Sequence, residues 1–309
     1  MPLRHQPVHL SSGNLIADRR YEWACDALHK GDLAGAADLL TQTLELAPEY
    51  AAAWFTLGEV RERLGEREAA VAAFAEARAA DPRDRHGAAL HLMRLGASAL
   101  ASMPRGYVRA VFDGYAADFD RALTEGLAYR GPQLLLAAVR RALGDRMQFG
   151  AMLDLGCGTG LAGAAFRPFA QQMVGVDLSP AMLARAKAKG LYDRLVEDDV
   201  LRFLAAEVAG NAAYHLVVAA DMFMYLDRLV PVLEGVARVL VPGGLIAFSV
   251  ETHDGQGVIL RDTLRYAHGE AHVREALAAA GLGVLSLESA ATRTEKGAAV
   301  PGLIVVAGH

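Results

Sequence analysis

The chain has 309 residues, of which 53% are hydrophobic and 22% are charged, and its formal net charge is −5. This composition excludes a disordered chain and a coiled-coil rod, and the mild acidity gives no general attraction to nucleic acid or to anionic lipid. The only two cysteines, Cys25 and Cys157, exclude a disulfide scaffold and a thiolate zinc site. The length suits two domains.

The beginning of the chain, residues 1–14, is predicted to be an N-terminal tail. Residues 1–20 contain no apolar run of signal-peptide length. No stretch of the sequence reaches the roughly 18 apolar residues that a membrane helix needs. We therefore expect a cytoplasmic protein without a membrane partner.

Helical repeats are predicted for residues 15–100. Pro48 and Pro82 are separated by 34 residues, and each follows a helical run rich in alanine and leucine. A period of 34 residues is typical of the tetratricopeptide helix-turn-helix. Residues 51–84 resemble that family at its signature positions, which are Trp54, Leu57, Gly58, Ala70, Phe74, Ala77 and Pro82.

The packing expected of this repeat agrees with the resemblance. Small residues at Gly58 and Ala70 would let two antiparallel helices approach closely, and Phe74 would fill the groove between them. A helix that starts near Arg85 and ends near Leu100 would cap the stack. The repeats would either hold a protein partner or orient a substrate in a concave groove, or they would only stabilise the neighbouring domain.

Residues 101–309 are predicted to form an α/β domain. Short β-rich runs alternate with helical runs, which indicates a mostly parallel, Rossmann-like sheet of seven strands covered on both faces. The link between the last two strands, residues 289–302, has no helical period, so these strands are expected to pair as an antiparallel hairpin. The seven strands are predicted at 151–155, 173–177, 194–197, 214–219, 245–250, 284–288 and 303–307.

A glycine loop, residues 156–160, joins the first predicted strand to the next helix. It reads Gly156-Cys157-Gly158-Thr159-Gly160, and glycine is needed where the backbone turns sharply close to a ligand. The dinucleotide-binding pattern would require a glycine at position 161, which is leucine here.

With Asp154 on the strand before it, the glycine loop resembles motif I of class I S-adenosyl-L-methionine-dependent methyltransferases. The resemblance implies that the backbone of the loop, at Gly156, Cys157, Gly158 and Gly160, passes close to the methionine part of that cofactor. It also implies that Asp154 lies near the amino group of the methionine part.

Acidic residues follow the next two predicted strands. Asp177 lies where a carboxylate can accept both ribose hydroxyls, and Leu178 would lie against the adenine. After the third strand, the resemblance implies an acidic side chain and a backbone N–H facing the adenine. Asp199 with Val200 is the first choice and Asp198 is the alternative, although both carboxylates could instead cap the following helix.

The fourth predicted strand ends beside the expected methyl-transfer centre, and Ala220, directly after it, is expected to contact the cofactor. A general base is needed only if the acceptor arrives protonated, and the candidates are His268, Tyr225 and Asp221. His268 comes first because residues 264–268 resemble a segment of bacterial tetratricopeptide-containing methyltransferases; it could instead be a surface histidine on a loop. Asp221 could instead hold the turn after the strand. No metal site is expected.

Two further segments, residues 107–120 and 294–297, resemble the same methyltransferases. The first corresponds to a lid-like helix, which implies that Tyr107 and Tyr115 fold over the cofactor; they could instead form the apolar face of an ordinary helix. The predicted C-terminal hairpin is typical of class I methyltransferases and not of Rossmann dehydrogenases. We therefore expect a methyltransferase acting on an oxygen or nitrogen nucleophile of a small molecule or a protein. The alternative is a repeat scaffold with a cofactor-binding but catalytically weak domain.

Overall fold

The computed structural model describes residues 11–144 and 147–309, apart from the side chains of residues 124 and 125. The described residues fall into two units that divide between Val111 and Phe112. The sequence predicts this division after residue 100, whereas the structure places it inside a helix, Arg105–Tyr115. Of the predicted N-terminal tail, residues 1–10 lie outside the described residues.

The first unit is a succession of helices, each packed against the next. The first helix begins after Asn14, whose side chain accepts hydrogen bonds from the N–H groups of Ile16 and Ala17, and it ends at Gly31 with φ +83°. Helices α1 to α5 span Leu15–Lys30, Leu33–Leu46, Ala51–Arg63, Arg67–Ala80 and Ala88–Arg94.

The close approach predicted at Gly58 is confirmed. A Cβ atom at Gly58 in α3 would lie 2.6 Å from a ring carbon of Phe74 in α4, so only glycine leaves room for that ring. The indole N–H of Trp54 donates to the carbonyl of Pro48 at 2.7 Å. The predicted capping helix is shorter than expected, because α5 ends at Arg94.

The second unit is built on one large sheet. Within the described residues its main path has the order β3-β2-β1-β4-β5-β11-β8. Neighbouring strands are parallel except that β11 runs antiparallel to both β5 and β8. The strands β1 to β11 are Phe149–Leu155, Ala170–Asp177, Arg194–Glu197, Tyr214–Ala219, Leu240–His253, Val258–Leu260, Tyr266–Gly269, Gly283–Ser289, Thr294–Glu295, Ala298–Ala299 and Gly302–Gly308.

The seven predicted strands and the antiparallel pairing of the last two are confirmed. The structure adds two pairs of short strands that the sequence analysis missed. Strands β6 and β7 extend the sheet beside the end of β5, and β9 and β10 form a separate hairpin in the link before β11. Both pairs are too short for a periodic hydrophobic pattern to reveal them.

Helices cover the sheet on both faces. Because successive strand residues point to opposite faces, Leu153 and Leu155 of β1 belong to one apolar cluster and Met152 to the other. None of the helices within the described ranges is long and apolar enough to cross a membrane. Helices α6 to α13 span Arg105–Tyr115, Phe119–Arg121, Gly131–Leu143, Leu161–Phe166, Pro180–Ala188, Val200–Ala209, Val230–Val239 and Glu270–Ala279.

This arrangement brings the carboxyl ends of β1 to β4 to one edge of the sheet, because these four strands are parallel neighbours. In open α/β sheets that edge is where ligands bind. All the acidic strand ends singled out in the sequence lie there.

Candidate active site

The glycine loop leads from β1 into α9. Gly156, Gly158 and Gly160 have φ angles of +66°, +52° and +89°, which side chains rarely tolerate. A Cβ atom at Gly156 would lie 2.6 Å from the side chain of Met222, so the turn after β4 packs directly on the glycine loop. Cys157 is buried within the loop, and burial raises the pKa of its thiol. The thiol is therefore uncharged, and the side chain packs inside the turn.

Asp177 at the end of β2 holds the glycine loop in place. One carboxylate oxygen accepts the N–H of Gly158 at 2.9 Å and the other accepts the N–H of Ser179 at 2.8 Å. Burial is the main cause that raises the pKa of this carboxyl. A carboxylate has about four acceptor positions, so these two bonds do not exhaust it. Leu178, the next residue, is half-buried.

Ser179 begins helix α10 in the way the sequence predicts. Its side chain caps the helix by accepting the N–H of Met182 at 3.1 Å, and Pro180 occupies the first helical position. The helix start is thus fixed directly beside Asp177.

Asp154 lies in β1, and its side chain is only 1% exposed. Its Oδ2 accepts the hydroxyl of Tyr192 at 2.6 Å, while its Oδ1 has no hydrogen-bond partner among the described residues. Burial raises the pKa of this carboxyl to about 7, and the hydrogen bond from Tyr192 opposes the shift. A buried acceptor with no partner is costly, and a cationic group of a ligand would satisfy it.

The predicted adenine end of the site contains a helix cap. Asp199 accepts the N–H groups of Leu201 and Arg202 at 3.1 and 3.3 Å, and so caps α11. Asp198 accepts the N–H of Asp199 at 2.6 Å and also bonds to the Arg202 guanidinium. Val200 is half-buried at the first position of the helix. The capping interpretation is therefore observed for Asp199 and not for Asp198, and contact of Asp199 and Val200 with a ligand stays a prediction.

A covering segment, residues 112–121, lies against the glycine loop and the turn after β2. The hydroxyl of Ser179 donates to Asp113 at 2.6 Å. Asp120 accepts the hydroxyl of Thr159 and, at 2.7 Å, the ammonium of Lys189. The roles of both carboxylates could not be predicted from the sequence, because their partners lie 39 to 69 residues away along the chain.

The two tyrosines predicted to fold over the cofactor belong to different units. The hydroxyl of Tyr115 is buried with no partner among the described residues, and burial raises the pKa of this phenol to about 12. Tyr107 belongs to the first unit, where its ring lies 2.6 Å from the position that a Cβ at Gly87 would take. Their contact with a cofactor stays a prediction.

Asp221 follows Ala220 at the end of β4 and has a φ angle of +52°. Its Oδ1 accepts the hydroxyl of Ser249 at 2.7 Å, and its N–H donates to the same hydroxyl. Its Oδ2 accepts the hydroxyl of Thr292 at 3.0 Å and the guanidinium of Arg293 at 2.7 Å. Both oxygens are engaged, which favours the alternative that Asp221 holds this turn.

Arg293 belongs to a buried ionic network that the sequence analysis missed. Its guanidinium also contacts Glu251 of β5, which is 2% exposed, and Glu251 pairs in turn with Arg265 at 2.6 Å. Residues 264–268 and 294–297, singled out by resemblance, each supply one member. Within the described residues the network contains three carboxylates and three guanidinium groups, namely Asp221, Glu251, Glu295, Arg261, Arg265 and Arg293.

The remaining base candidates differ in exposure. His268 lies in β7 and is 0% exposed, so the alternative of a surface histidine on a loop is wrong. Its ring stacks on His272 with 5.6 Å between centroids, and burial lowers its pKa to about 4. Tyr225 is half-buried with its ring 5.3 Å from that of Phe112, and burial raises the pKa of its phenol. A base role for either residue stays a prediction.

Comparison with known proteins gives this site a family context. Residues 153–246 match the family model of a methyltransferase domain. Residues 27–92 match that of a tetratricopeptide repeat. The chain therefore contains tetratricopeptide repeats followed, later in the sequence, by a methyltransferase domain. The predicted tetratricopeptide repeats and methyltransferase domain, in that order along the chain, are confirmed.

The curated relatives match only parts of the chain. Methyltransferase-like protein 27 of Homo sapiens is 42% identical over 85 residues, which are 27% of this chain and 34% of that protein. Malonyl-[acyl-carrier protein] O-methyltransferase of Enterobacter lignolyticus is 29% identical over 139 residues, 45% of this chain and 54% of that protein. The chain thus spans between one third and about half of the length of these relatives.

Among solved structures, magnesium protoporphyrin IX methyltransferase from Synechocystis PCC 6803 with bound SAM is similar. The TM-score is 0.50 at 16% identity, and the match covers 68% of this chain and 99% of that chain. This likeness concerns the fold, and it agrees with the predicted Rossmann-like methyltransferase fold.

Proposed function

We propose that this protein is an S-adenosyl-L-methionine-dependent methyltransferase whose tetratricopeptide unit binds a protein partner or orients the acceptor. The observation that carries the proposal is the pair of carboxylates at adjacent strand ends, of which Asp154 is buried and Asp177 is half-buried. Asp154 leaves one oxygen without a partner beneath the glycine loop, and Asp177 reaches both that loop and the next turn. The names of the relatives and of the solved structure support the same reaction class.

The residues present fit the cofactor. Asp154 Oδ1 would accept the amino group of the methionine part, and the glycine loop offers backbone without Cβ atoms beside it. Asp177 would accept the ribose hydroxyls. Leu178, Asp199 and Val200 would surround the adenine.

When bound, S-adenosyl-L-methionine supplies a methyl group on a sulfonium that is already an activated leaving group. The chain then has to position the acceptor and exclude water, and positioning can lower a barrier by about 7–11 kcal/mol. The covering segment contributes aromatic surface, since Phe112 packs against Phe119 and Tyr225 with centroid distances of 5.9 and 5.3 Å.

The acceptor is a small molecule or a protein side chain that presents an oxygen or nitrogen nucleophile. A carboxylate would arrive deprotonated and need no base, whereas a phenol or an ammonium would need one. His268 is neutral at pH 7 because its pKa is lowered to about 4. His268 is 0% exposed, so it could receive a proton only if the segment around β7 opened. The other two base candidates are no better placed, because burial raises the pKa of the Tyr225 phenol and both oxygens of Asp221 are engaged.

Thermal unfolding with S-adenosylhomocysteine and, separately, with NAD tests this proposal. At a ligand concentration of about 100 times Kd, binding stabilises the folded state by about 2.7 kcal/mol, which raises Tm by a few degrees. A shift with S-adenosylhomocysteine alone supports the proposal and justifies screening acceptors with labelled cofactor. No shift at adequate concentration refutes it.

A scaffold with a cofactor-binding but catalytically weak domain is the second candidate. The full engagement of Asp221 and the burial of His268 favour it, because neither group is poised to accept a proton. Labelled cofactor distinguishes the two, since the scaffold would bind it without transferring label to carboxylate, phenol or amine acceptors.

A further inference from the structure

Tyr192, in the loop before β3, reaches beneath the glycine loop to Asp154. Three glycines make room for it. A Cβ at Gly160 would lie 3.0 Å from the tyrosine ring, a Cβ at Gly175 would lie 2.9 Å from it, and a Cβ at Gly163 would lie 2.3 Å from its hydroxyl. The close packing of one side chain against three residues without a Cβ fixes the ring.

The backbone beside Tyr192 is also held. Asp193 accepts the N–H of Met173 at 2.7 Å and the guanidinium of Arg167 at 2.8 Å. The N–H of Asp193 donates to the carbonyl of Met173 at 2.9 Å. The tyrosine hydroxyl is therefore presented to Asp154 from a rigid support.

Asp154 needs such support because its surroundings disfavour its charge. It is almost fully buried, no basic side chain pairs with it within the described part of the chain, and the neighbouring carboxylate of Asp177 repels it. A hydrogen bond donated to the ionised form favours that form. The bond from Tyr192 engages Oδ2 and leaves Oδ1 as the open acceptor.

We propose that Tyr192 is a positioning residue for the amino group of the cofactor: its hydroxyl holds Asp154 so that Oδ1 accepts the ammonium. This inference rests on the proposed function. It predicts that Tyr192 contributes to the binding affinity for the amino-acid part of a ligand and does not contribute to the affinity for the adenosine part.

Tyr192→Phe tests this, because phenylalanine keeps the ring in the glycine-lined space and removes only the hydroxyl. Calorimetry would measure Kd for S-adenosylhomocysteine and for 5′-methylthioadenosine, which has no amino-acid part. We expect Kd for S-adenosylhomocysteine to rise by about tenfold or more, as for a lost hydrogen bond to a charged group. Kd for 5′-methylthioadenosine should stay within about twofold of the wild-type value.

Tyr214→Phe is the matched control. The Tyr214 hydroxyl also donates to a carboxylate, that of Glu207, and it lies at the start of β4, away from the glycine loop. This variant should bind both ligands as the wild type does. A double-mutant cycle adds a second readout: in an Asp154→Asn background, Tyr192→Phe should cause no further loss of S-adenosylhomocysteine affinity.

The inference is overturned if Tyr192→Phe leaves both affinities unchanged, if it weakens both ligands equally, or if its effect persists in Asp154→Asn. A wild-type chain that binds neither ligand overturns the proposed function, and this inference with it. A wild type that binds S-adenosylhomocysteine while Tyr192→Phe is unaffected overturns this inference alone.

Discussion

Asp177→Asn separates the backbone contacts that Asp177 makes in the structure from the ribose contact that is proposed for it. The carboxylate accepts two backbone N–H groups, from Gly158 and Ser179, and in the proposed site it also accepts the ribose hydroxyls. Asparagine has the same shape but keeps only one acceptor oxygen. The change therefore removes the negative charge and one hydrogen bond that the side chain accepts from a backbone N–H. It adds no side-chain volume beside the glycine loop.

The two losses are measured separately. A buried N–H left without an acceptor costs about 1–3 kcal/mol of unfolding free energy. A hydrogen bond to a charged group contributes about 1.5–3 kcal/mol, so losing the ribose bond to the oxygen that asparagine replaces should cost about 1.5 kcal/mol or more. At about 1.4 kcal/mol for each factor of ten, that is at least a tenfold rise in Kd.

The assay is calorimetric titration with S-adenosylhomocysteine, together with chemical denaturation of the unliganded protein. Asp84→Asn is the matched control, because Asp84 also accepts two backbone N–H groups, from Ala88 and Ala89 at 2.7 and 2.9 Å, but lies in the repeat unit. We expect a similar loss of stability in Asp84→Asn, with Kd unchanged.

If Asp177→Asn lowers the free energy of unfolding as expected but leaves the affinity for S-adenosylhomocysteine at the wild-type value, the ribose assignment is refuted. Loss of affinity in the Asp84→Asn control would instead show that lowered stability alone weakens binding. The comparison thus isolates the contact with the ligand.

Three further outcomes are expected. Arg293→Met leaves the carboxylate of Asp221 without its buried cation, and denaturation should show a loss of about 3–5 kcal/mol. Gly58→Val forces a side chain into the ring of Phe74, and the thermal transition of the repeat unit should reflect a loss of about 1–3 kcal/mol. Affinity for S-adenosylhomocysteine should fall as pH drops below about 7, because the ammonium requires ionised Asp154, and Asp154→Asn should flatten that profile.

The pH dependence has opposite signs with and without ligand. The pKa of Asp154 is raised from 3.8 to about 7 in the folded state, so its contribution to stability is fully present below 3.8 and is lost as pH rises through about 7. The titratable groups around it are Tyr192, Cys157 and Asp177. An affinity for S-adenosylhomocysteine that rises as the pH falls would contradict this reasoning. A free-protein stability whose pH dependence is the same in Asp154→Asn as in the wild type would contradict it as well.

Much of the fold could be predicted because its signals are local. The 34-residue spacing and the small residue at Gly58 indicate helix pairs without reference to the rest of the chain. The glycine loop and the carboxylate of Asp177 can be located because glycine is required where φ is positive and because parallel strands end at one edge. The glycines and the acidic residue each stand directly at the end of a predicted strand, so both can be located from neighbouring residues.

Other parts of the site could not be predicted. Asp199 illustrates the difficulty, since the same residue type suits a helix cap and a contact to adenine, and sequence spacing cannot separate the two. His268 lies in a strand of four residues, Tyr266–Gly269, which is too short to show a period, so its complete burial had no signal.

The sequence by itself determined the repeats, the parallel sheet, the glycine loop and the acidic strand ends, because these depend on residue spacings and backbone preferences that follow the order of the chain. Only the tertiary structure decided the pairing of Arg293 with Asp221, 72 residues away, and of Tyr192 with Asp154, 38 residues away. Those partners meet because β11 inserts beside β5 and because three glycines open a space under the loop. Long-range pairing of this kind depends on sheet order, which no local pattern encodes.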